Sequence, residues 1–241
     1  MNRFIYILIL SITIISCDDA VFNAGDIVTK EIEISYFKEI HVDDIFEIYL
    51  TQSDECKVEA KGGCNLLPNL EFKVDENKKL TISDNNKVRW SRDYDKIELY
   101  ISVDTLNFLR LNEPCKVITQ NSLTTINFSI WSIADYAEYD INLGGVNFYF
   151  VNSGTSGGIL NLDGEITNFS FWARASFKVN AKNLIADHVT VKTESIGDCN
   201  VYVNEQLSVE ILRDGKVYYE GSPEIIEYVN EKAREQLIKL D

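Results

Sequence analysis

Apolar and polar residues alternate regularly between about residues 31 and 103, a pattern typical of β-strands with one buried face. Two short runs, 70–74 and 80–82, flank the polar tip Asp75–Lys78 and predict a β-hairpin. The alternation assigns the following residues to the buried side: Ile40, Val42, Phe46, Ile48, Leu50, Ile97, Leu99, Ile101 and Val103.

A different regularity begins after residue 104, where a short strand-like unit recurs at nearly constant intervals. The units are NFLRL, NFSI, NFYF, NFSF, HVTV and SVEI, and their second residues are Phe108, Phe128, Phe148, Phe169, Val189 and Val209. So regular a spacing predicts a solenoid in which each coil stacks on the previous one. In the first unit, either Phe108 or the pair Leu109 and Leu111 points inward.

Each repeat carries a second apolar stretch, and turn-forming glycines separate it from the first. The second stretches are Ile159–Leu162, Phe177–Val179, Val201–Val203 and Val217–Tyr219. Two strands in each coil predict an all-β fold, a right-handed parallel β-helix or solenoid with coils of about 20 residues.

The last residues have the signature of an amphipathic helix. Ser222 is a suitable N-cap, Pro223 suits the first helical position, and apolar residues follow at three- and four-residue spacing. We expect this helix to close the last coil, and binding to a partner is the alternative role. The chain then divides into a signal and lipobox (1–17), a tether (18–30), an alternating-strand β region (31–104), a β-helical region (105–222) and the helix (223–241).

The amino-terminal sequence MNRFIYILILSITIISC has the features of an export signal. Its apolar run from Phe4 to Ile15 is too short to span a bilayer. Ile14-Ile15-Ser16-Cys17 resembles a bacterial lipobox, which implies acyl chains, including palmitate, on Cys17 and a lipid-anchored place in the cell envelope, on the outer membrane and facing the periplasm or the surface. An ordinary cleaved signal with an unmodified cysteine is the alternative.

The net charge limits the classes of binding partner, and the cysteines limit the possible disulfides and metal sites. The formal charge is −15, and removal of residues 1–16, whose only charged side chain is Arg3, leaves −16; this disfavours nucleic acid and anionic lipid head groups as partners. The remaining cysteines are Cys56, Cys64, Cys115 and Cys199, and Cys56 with Cys64 is the easiest disulfide to close, although buried free thiols fit equally well. No CxxC or Cys/His cluster is present, so we expect neither a metal nor a cofactor.

Catalytic motifs are missing from the sequence: it has two histidines, and no GxSxG elbow, P-loop, HExxH or EF-hand loop. The sequence therefore indicates no catalytic residues. A β-helical carbohydrate-active enzyme, either a polysaccharide hydrolase or lyase, is the alternative and would need two facing carboxylates. The candidates are mainly turn residues, where aspartate has a local hydrogen-bonding role: Asp135, Asp140, Asp163, Asp187, Asp198 and Asp214.

The outward side of the repeated strand is the better candidate for function. Its asparagines are expected to stack as an amide ladder, with hydroxyl groups and tryptophans further along each strand. Such a surface could hold a glycan or a partner protein, because aromatic rings offer a large contact area at little entropic cost. A purely structural ladder is the alternative. The candidate binding surface is Asn127, Ser129, Trp131, Asn147, Tyr149, Asn168, Ser170 and Trp172.

Turn and strand motifs at both ends of the mature chain resemble the bacterial GIN domain, also called the putative autotransporter adhesin head domain. At the end of the coil they are Gly197-Asp198, Gly215, Val217–Tyr219 and Gly221-Ser222-Pro223, and at the opening Phe37–Ile40, Val58–Ala60, Asn65–Leu67 and Leu80–Ile82. The resemblance covers roughly residues 33–223. It implies an exported or lipid-anchored envelope protein with a non-enzymatic binding, adhesion or scaffolding role, whose ligand and oligomeric state it does not specify.

Overall fold

A computed structural model describes residues 23–86 and 96–240. This part of the chain is a β-solenoid of about six turns, with coils of roughly 21 residues and one short helix. The predicted signal, the lipobox cysteine Cys17 and residues 18–22 of the predicted tether lie outside the described residues, whereas residues 27–30 of that tether belong to the strand Ile27–Ile32. No helix among the described residues is long and apolar enough to cross a membrane.

The strands are β1 (Ile27–Ile32), β2 (Glu39–Val42), β3 (Glu47–Gln52), β4 (Lys57–Gly63), β5 (Leu70–Val74), β6 (Lys79–Asp84), β7 (Glu98–Val103), β8 (Phe108–Leu111), β9 (Cys115–Thr119), β10 (Leu123–Ser132), β11 (Tyr136–Asn152), β12 (Gly157–Ser195), β13 (Cys199–Ile211), β14 (Val217–Gly221), β15 (Ile225–Tyr228) and β16 (Leu237–Lys239). A 3-10 turn (Leu67–Asn69) precedes β5, and the helix α1 (Glu231–Gln236) precedes β16.

The coils form two long faces joined by a bend and a turn. Face 1 has the order β1-β4-β7-β3-β9 and continues through the first half of β11, segments of β12 and the first half of β13 to β14 and β16. Face 2 has the order β5-β6-β2-β8-β10 and continues through the second half of β11, other segments of β12 and the second half of β13 to β15. The long strands pass from face 1 to face 2 at a bend that includes Gly145 and Gly164, both with positive φ.

The alternating region is itself part of the stack. β2 pairs in parallel with β6 and β8, and β3 pairs in parallel with β7 and β9, so one coil of the chain is inserted between two later ones. Antiparallel strands complete this end of the solenoid: β4 covers β7, β1 covers β4, and β5 pairs with β6 in the predicted hairpin. The parallel stacking therefore begins well before residue 105.

Aromatic residues from successive coils fill the core, as the repeat predicts. Phe128, Phe148 and Phe169 are paired in register and buried, with ring centroids 5.4 and 5.6 Å apart. In the first unit it is Leu109 and Leu111 that are fully buried, because Leu109 pairs with Ile130 while Phe108 pairs with the outward Ser129. The inward columns are thus confirmed, and the open choice in the first unit is settled in favour of the leucines.

The predicted constant spacing is wrong for the last repeat. The repeat places Val209 opposite Val189, but Val189 pairs with Leu207 and Val191 pairs with Val209. The shortening occurs at the bend, where residues 182–184 have no counterparts in the next coil and Leu184 is buried as an extra core residue. Since the slip is two residues, side chains keep their inward or outward direction, and Val209 remains buried.

The predicted helix over 223–241 is too long. Residues 225–228 instead form β15, which pairs in parallel with Gln206–Val209, and the helix is limited to Glu231–Gln236 with Asn230 as its N-cap. Strand pairing prevails over helical periodicity here because it satisfies the exposed backbone edge of β13. The chain end is therefore one more coil, and Ala233 is the fully buried residue of its helix.

The four cysteines among the described residues, Cys56, Cys64, Cys115 and Cys199, are free thiols. Cys56 and Cys64 lie just before and just after β4, so an extended strand of about 3.3 Å per residue holds them much too far apart for a disulfide. The possible Cys56–Cys64 disulfide is therefore wrong, and the alternative of free thiols holds for these two residues. Burial raises the pKa of both the Cys115 and Cys199 thiols to about 12, which keeps them protonated at neutral pH.

Candidate functional site

The outward asparagines of face 2 form the expected amide ladder. The Asn147 Nδ2 group donates to Asn127 Oδ1 at 2.9 Å, and the Asn168 Nδ2 group donates to Asn147 Oδ1 at 2.9 Å. Asn147 Nδ2 also donates to the backbone oxygen of Ile126 at 3.2 Å, which uses its second N–H. The middle amide is thus committed to holding the coils together.

Face 1 has a ladder of the same kind. There Asn161 Nδ2 donates to Asp140 Oδ1 at 2.7 Å, and Asn180 Nδ2 donates to Asn161 Oδ1 at 3.2 Å. Among the described residues, the tryptophans Trp131 and Trp172 both lie on face 2, so neither accompanies this ladder. Because an amide ladder occurs on both faces, we interpret the asparagines as structural. The side chains next to the face 2 ladder are the better candidates for ligand binding.

Hydroxyl groups form the next outward row on face 2. Ser129, Tyr149 and Ser170 are paired in register across three coils. Within the described ranges, none of the three hydroxyls has a hydrogen-bond partner, and together with the asparagines they line a shallow groove of about 230 Å³. These groups remain available to a ligand.

Two tryptophans bound a larger depression beside that groove, which we call the Trp cleft. Trp131 and Trp172 lie opposite each other across Val151 in the strand between them, and the strand spacing puts their backbones about 10 Å apart. Tyr149 and Arg174 complete the cleft, whose volume is about 390 Å³. Trp131 is 44% exposed, which is a large exposed fraction for this side chain.

Two cationic side chains lie over the Trp172 ring. The Arg174 guanidinium carbon lies 3.2 Å from the Trp172 ring centroid, and Lys192 Nζ lies 4.8 Å from it. Lys192 is also paired with Glu210 at 2.9 Å, whereas Arg174 has no ion pair to any carboxylate of the described residues. Arg174 therefore places a positive charge without an ion-pair partner among the described residues against the Trp172 ring, at one side of the cleft.

The aromatic surface continues past Trp131 toward the amino-terminal end of the stack. Phe108 meets Trp131 edge-on at 5.5 Å, and His41 contacts Phe108 at 5.4 Å. Burial, followed by the charges of Lys79 and Arg110, lowers the pKa of His41 below its ordinary value. The carboxylates of Glu39 and Asp43 lie near the same imidazole and act on its pKa in the opposite direction.

Asn152 positions the backbone of Arg174. Its side chain is buried at the end of β11, where Oδ1 accepts from Arg174 N at 2.8 Å and Nδ2 donates to Arg174 O at 3.1 Å. Nδ2 also lies 2.9 Å from the oxygen of Ser153 and 3.3 Å from that of Ser156. Ala175 follows with a φ of 55°, so the chain turns sharply just past the cleft.

The six aspartates do not form a common site. Asp140 is in the face 1 ladder, Asp187 accepts from Asn204, Asp198 from the backbone of Lys216, and Asp214 pairs with Lys232. Among the described residues no group of three metal-ligating side chains occurs. These four contacts join residues 17–21 positions apart in neighbouring coils, so they differ from the local hydrogen bonds that the sequence predicts for turn aspartates.

All eight residues of the predicted surface lie together on face 2. Sequence reasoning missed Val151, Arg174, Lys192 and Phe108, which belong to the same surface. Arg174 has the parity of Trp172 and lies two residues further on, so strand alternation alone could have found it. Phe108 was missed because the one-residue shift of the first unit turns it outward.

Comparisons with known proteins agree with this architecture. The family model described as "Putative auto-transporter adhesin, head GIN domain" matches residues 36–223. Among curated proteins, none matches the chain.

Three solved structures share the fold. A putative adhesin from Bacteroides fragilis NCTC 9343 is 23% identical with a TM-score of 0.76, covering 89% of this chain and 93% of its own. A putative lipid binding protein from Parabacteroides distasonis ATCC 8503 is 18% identical with a TM-score of 0.66, covering 90% and 98%. A putative adhesin from the same strain is 17% identical with a TM-score of 0.64, covering 90% and 95%.

Proposed function

Because the chain belongs to the family of putative auto-transporter adhesin head GIN domains, we propose that it is a non-enzymatic adhesin of the cell envelope whose binding surface is the Trp cleft with its adjoining hydroxyl row. The observation that carries this proposal is the arrangement around Trp131. An indole that is 44% exposed stands on the outer face beside three hydroxyls that have no hydrogen-bond partner among the described residues. Aromatic rings with nearby hydroxyl groups suit sugar rings, which have apolar faces and polar edges.

We expect Trp131→Ala to abolish most ligand retention. A glycan array probed with the purified protein should show specific retention, and the variant should lose at least about tenfold in affinity because an exposed aromatic anchor of this kind supplies roughly 1.4 kcal/mol or more. Tyr136→Ala is the matched control, since Tyr136 is a similarly exposed aromatic residue on face 1. Equal retention by wild type and Trp131→Ala would contradict the proposal, and cleavage of a glycan by the wild type would favour the enzyme instead.

The second part of the proposal is a lipid anchor on Cys17. Acylation there would hold the domain at a membrane through the segment between residue 17 and β1. We expect metabolic labelling with an alkyne analogue of palmitate to mark the wild-type protein and to leave Cys17→Ser unlabelled. Cys56→Ser is the control, because Cys56 is part of the folded solenoid. Protease treatment of intact cells would then show whether the domain faces outward.

A further inference from the structure

We infer that the Trp cleft selects a carboxylate-bearing sugar, a uronic-acid oligosaccharide, with Arg174 as the group that recognises the carboxylate. The inference rests on the proposed function and names the ligand class for the same surface.

Arg174 has an unsatisfied hydrogen-bond donor. Among the described residues, its buried Nε atom has no hydrogen-bond partner and no carboxylate lies within 4.0 Å of its guanidinium. Glu194, two residues after Lys192 on the outward side of β12, makes no ion pair with it either. The Trp172 Nε1 atom at the same wall of the cleft is likewise buried without an acceptor. Buried donors without acceptors are rare in folded proteins, and two at one wall indicate that an acceptor arrives with the ligand.

The guanidinium of Arg174 has the geometry to bind a carboxylate. A guanidinium is a planar fork of N–H donors that matches the two oxygens of a carboxylate. Arg174 is already held in position, because Asn152 hydrogen-bonds to its backbone N–H and C=O groups and the Trp172 ring lies against its guanidinium. A pre-positioned cation loses little side-chain entropy when the anion binds.

The dimensions of the Trp cleft suit a short oligosaccharide. The tryptophan-bearing strands are about 10 Å apart, a span similar to two linked pyranose rings. Trp131 offers a ring for stacking at one end, Arg174 lies at the other, and Tyr149 lies along the row between them. An acidic peptide would satisfy Arg174, but it would leave the stacking ring and the hydroxyl row unused.

The net charge of −15 helps to distinguish specific from non-specific binding of an acidic glycan. A polyanion is repelled by the protein as a whole, so non-specific retention of an acidic glycan is disfavoured. Retention must then come from a local contact, and the side chain that provides it can be identified by substitution.

The test uses two hexasaccharides that differ only in charge: oligogalacturonate and its fully methyl-esterified form, with alginate and hyaluronan fragments as further acidic probes. We expect wild type to bind an acidic probe at least about tenfold more tightly than the ester, since hydrogen bonds to charged groups are worth roughly that factor. Arg174→Gln should lose this preference while keeping its affinity for the ester, and Arg174→Lys should keep part of the preference. Lys30→Gln, which removes one positive charge from the exposed side of β1, should change nothing.

The outcomes separate the two proposals. If the ester is bound as tightly as the acid, the carboxylate inference is wrong while glycan binding stands. If Arg174→Gln keeps the acid preference with an unchanged thermal melting curve, Arg174 is not the recognising group and the inference is overturned. If none of the acidic probes is retained, the inference is wrong, and the proposed function then depends on whether Trp131→Ala affects retention of any other glycan.

Discussion

Gly145→Ala is expected to destabilise the protein by about 3 kcal/mol or more, because the backbone there tolerates no side chain. Gly145 has a φ of 125°, a conformation that L-residues rarely adopt. A Cβ atom at this position would lie 1.9 Å from the backbone oxygen of Thr125. Thr125 is its register partner in the preceding coil, so the clash is relieved only by separating two stacked coils.

Urea denaturation followed by circular dichroism measures this effect as a lowered midpoint. Gly154→Ala is the matched control, since nothing lies within 4 Å of its would-be Cβ and its φ is not in the positive range. The control should change stability by no more than about 0.5 kcal/mol. If both variants unfold at the same urea concentration, the bend at Gly145 does not have the tight stacking described above.

Phe148→Ala is expected to cost about 4 kcal/mol. Phe148 is 2% exposed and lies between Phe128 and Phe169 in the aromatic column, with its ring stacked on that of Phe169 at an interplanar angle of 15°. Truncation leaves a cavity and removes two ring contacts, and such changes cost roughly 3–5 kcal/mol. The loss should appear as faster amide hydrogen exchange in β10, β11 and β12, the strands that meet at this position.

Tyr149→Ala provides the comparison on the next residue of the same strand. Tyr149 faces outward and is 37% exposed, so its truncation should lower stability by about 1 kcal/mol at most. A similar loss for both variants would mean that the two sides of β11 are equally buried, which is incompatible with the inward column. The pair therefore tests the architecture independently of any ligand.

The sequence repeat was sufficient to predict the solenoid, because the coil spacing and the strand alternation come from the same physical requirement. Each large apolar residue must lie above the one in the preceding coil, and Phe128, Phe148 and Phe169 satisfy this at nearly constant spacing. The shortened last repeat could not be read from the sequence. The likeness of HVTV to SVEI aligns His188 with Ser208, and only the bend containing Leu184 reveals that Ser208 pairs with Thr190 instead.

Local patterns gave less reliable information where two structures compete for the same residues. Residues 223–241 have helical periodicity, but the run Ile225-Ile226 is also β-branched, and the open edge of β13 favours a strand. Such an edge is a property of the assembled stack and has no local signal. The same is true of Arg174, whose importance comes from its neighbours Trp172 and Asn152.

The order of the strands determines which coils would transmit a mechanical load. The Trp cleft spans β10, β11 and β12, and β1 lies at one end of the stack. A ligand pulled away from a cell, with the protein held on its amino-terminal side as the proposed anchor requires, would put tension on the coils between β1 and the cleft. The coils from Cys199 onward lie beyond the cleft and outside this path. Substitutions there should weaken the fold at rest yet leave the rupture force under shear nearly unchanged.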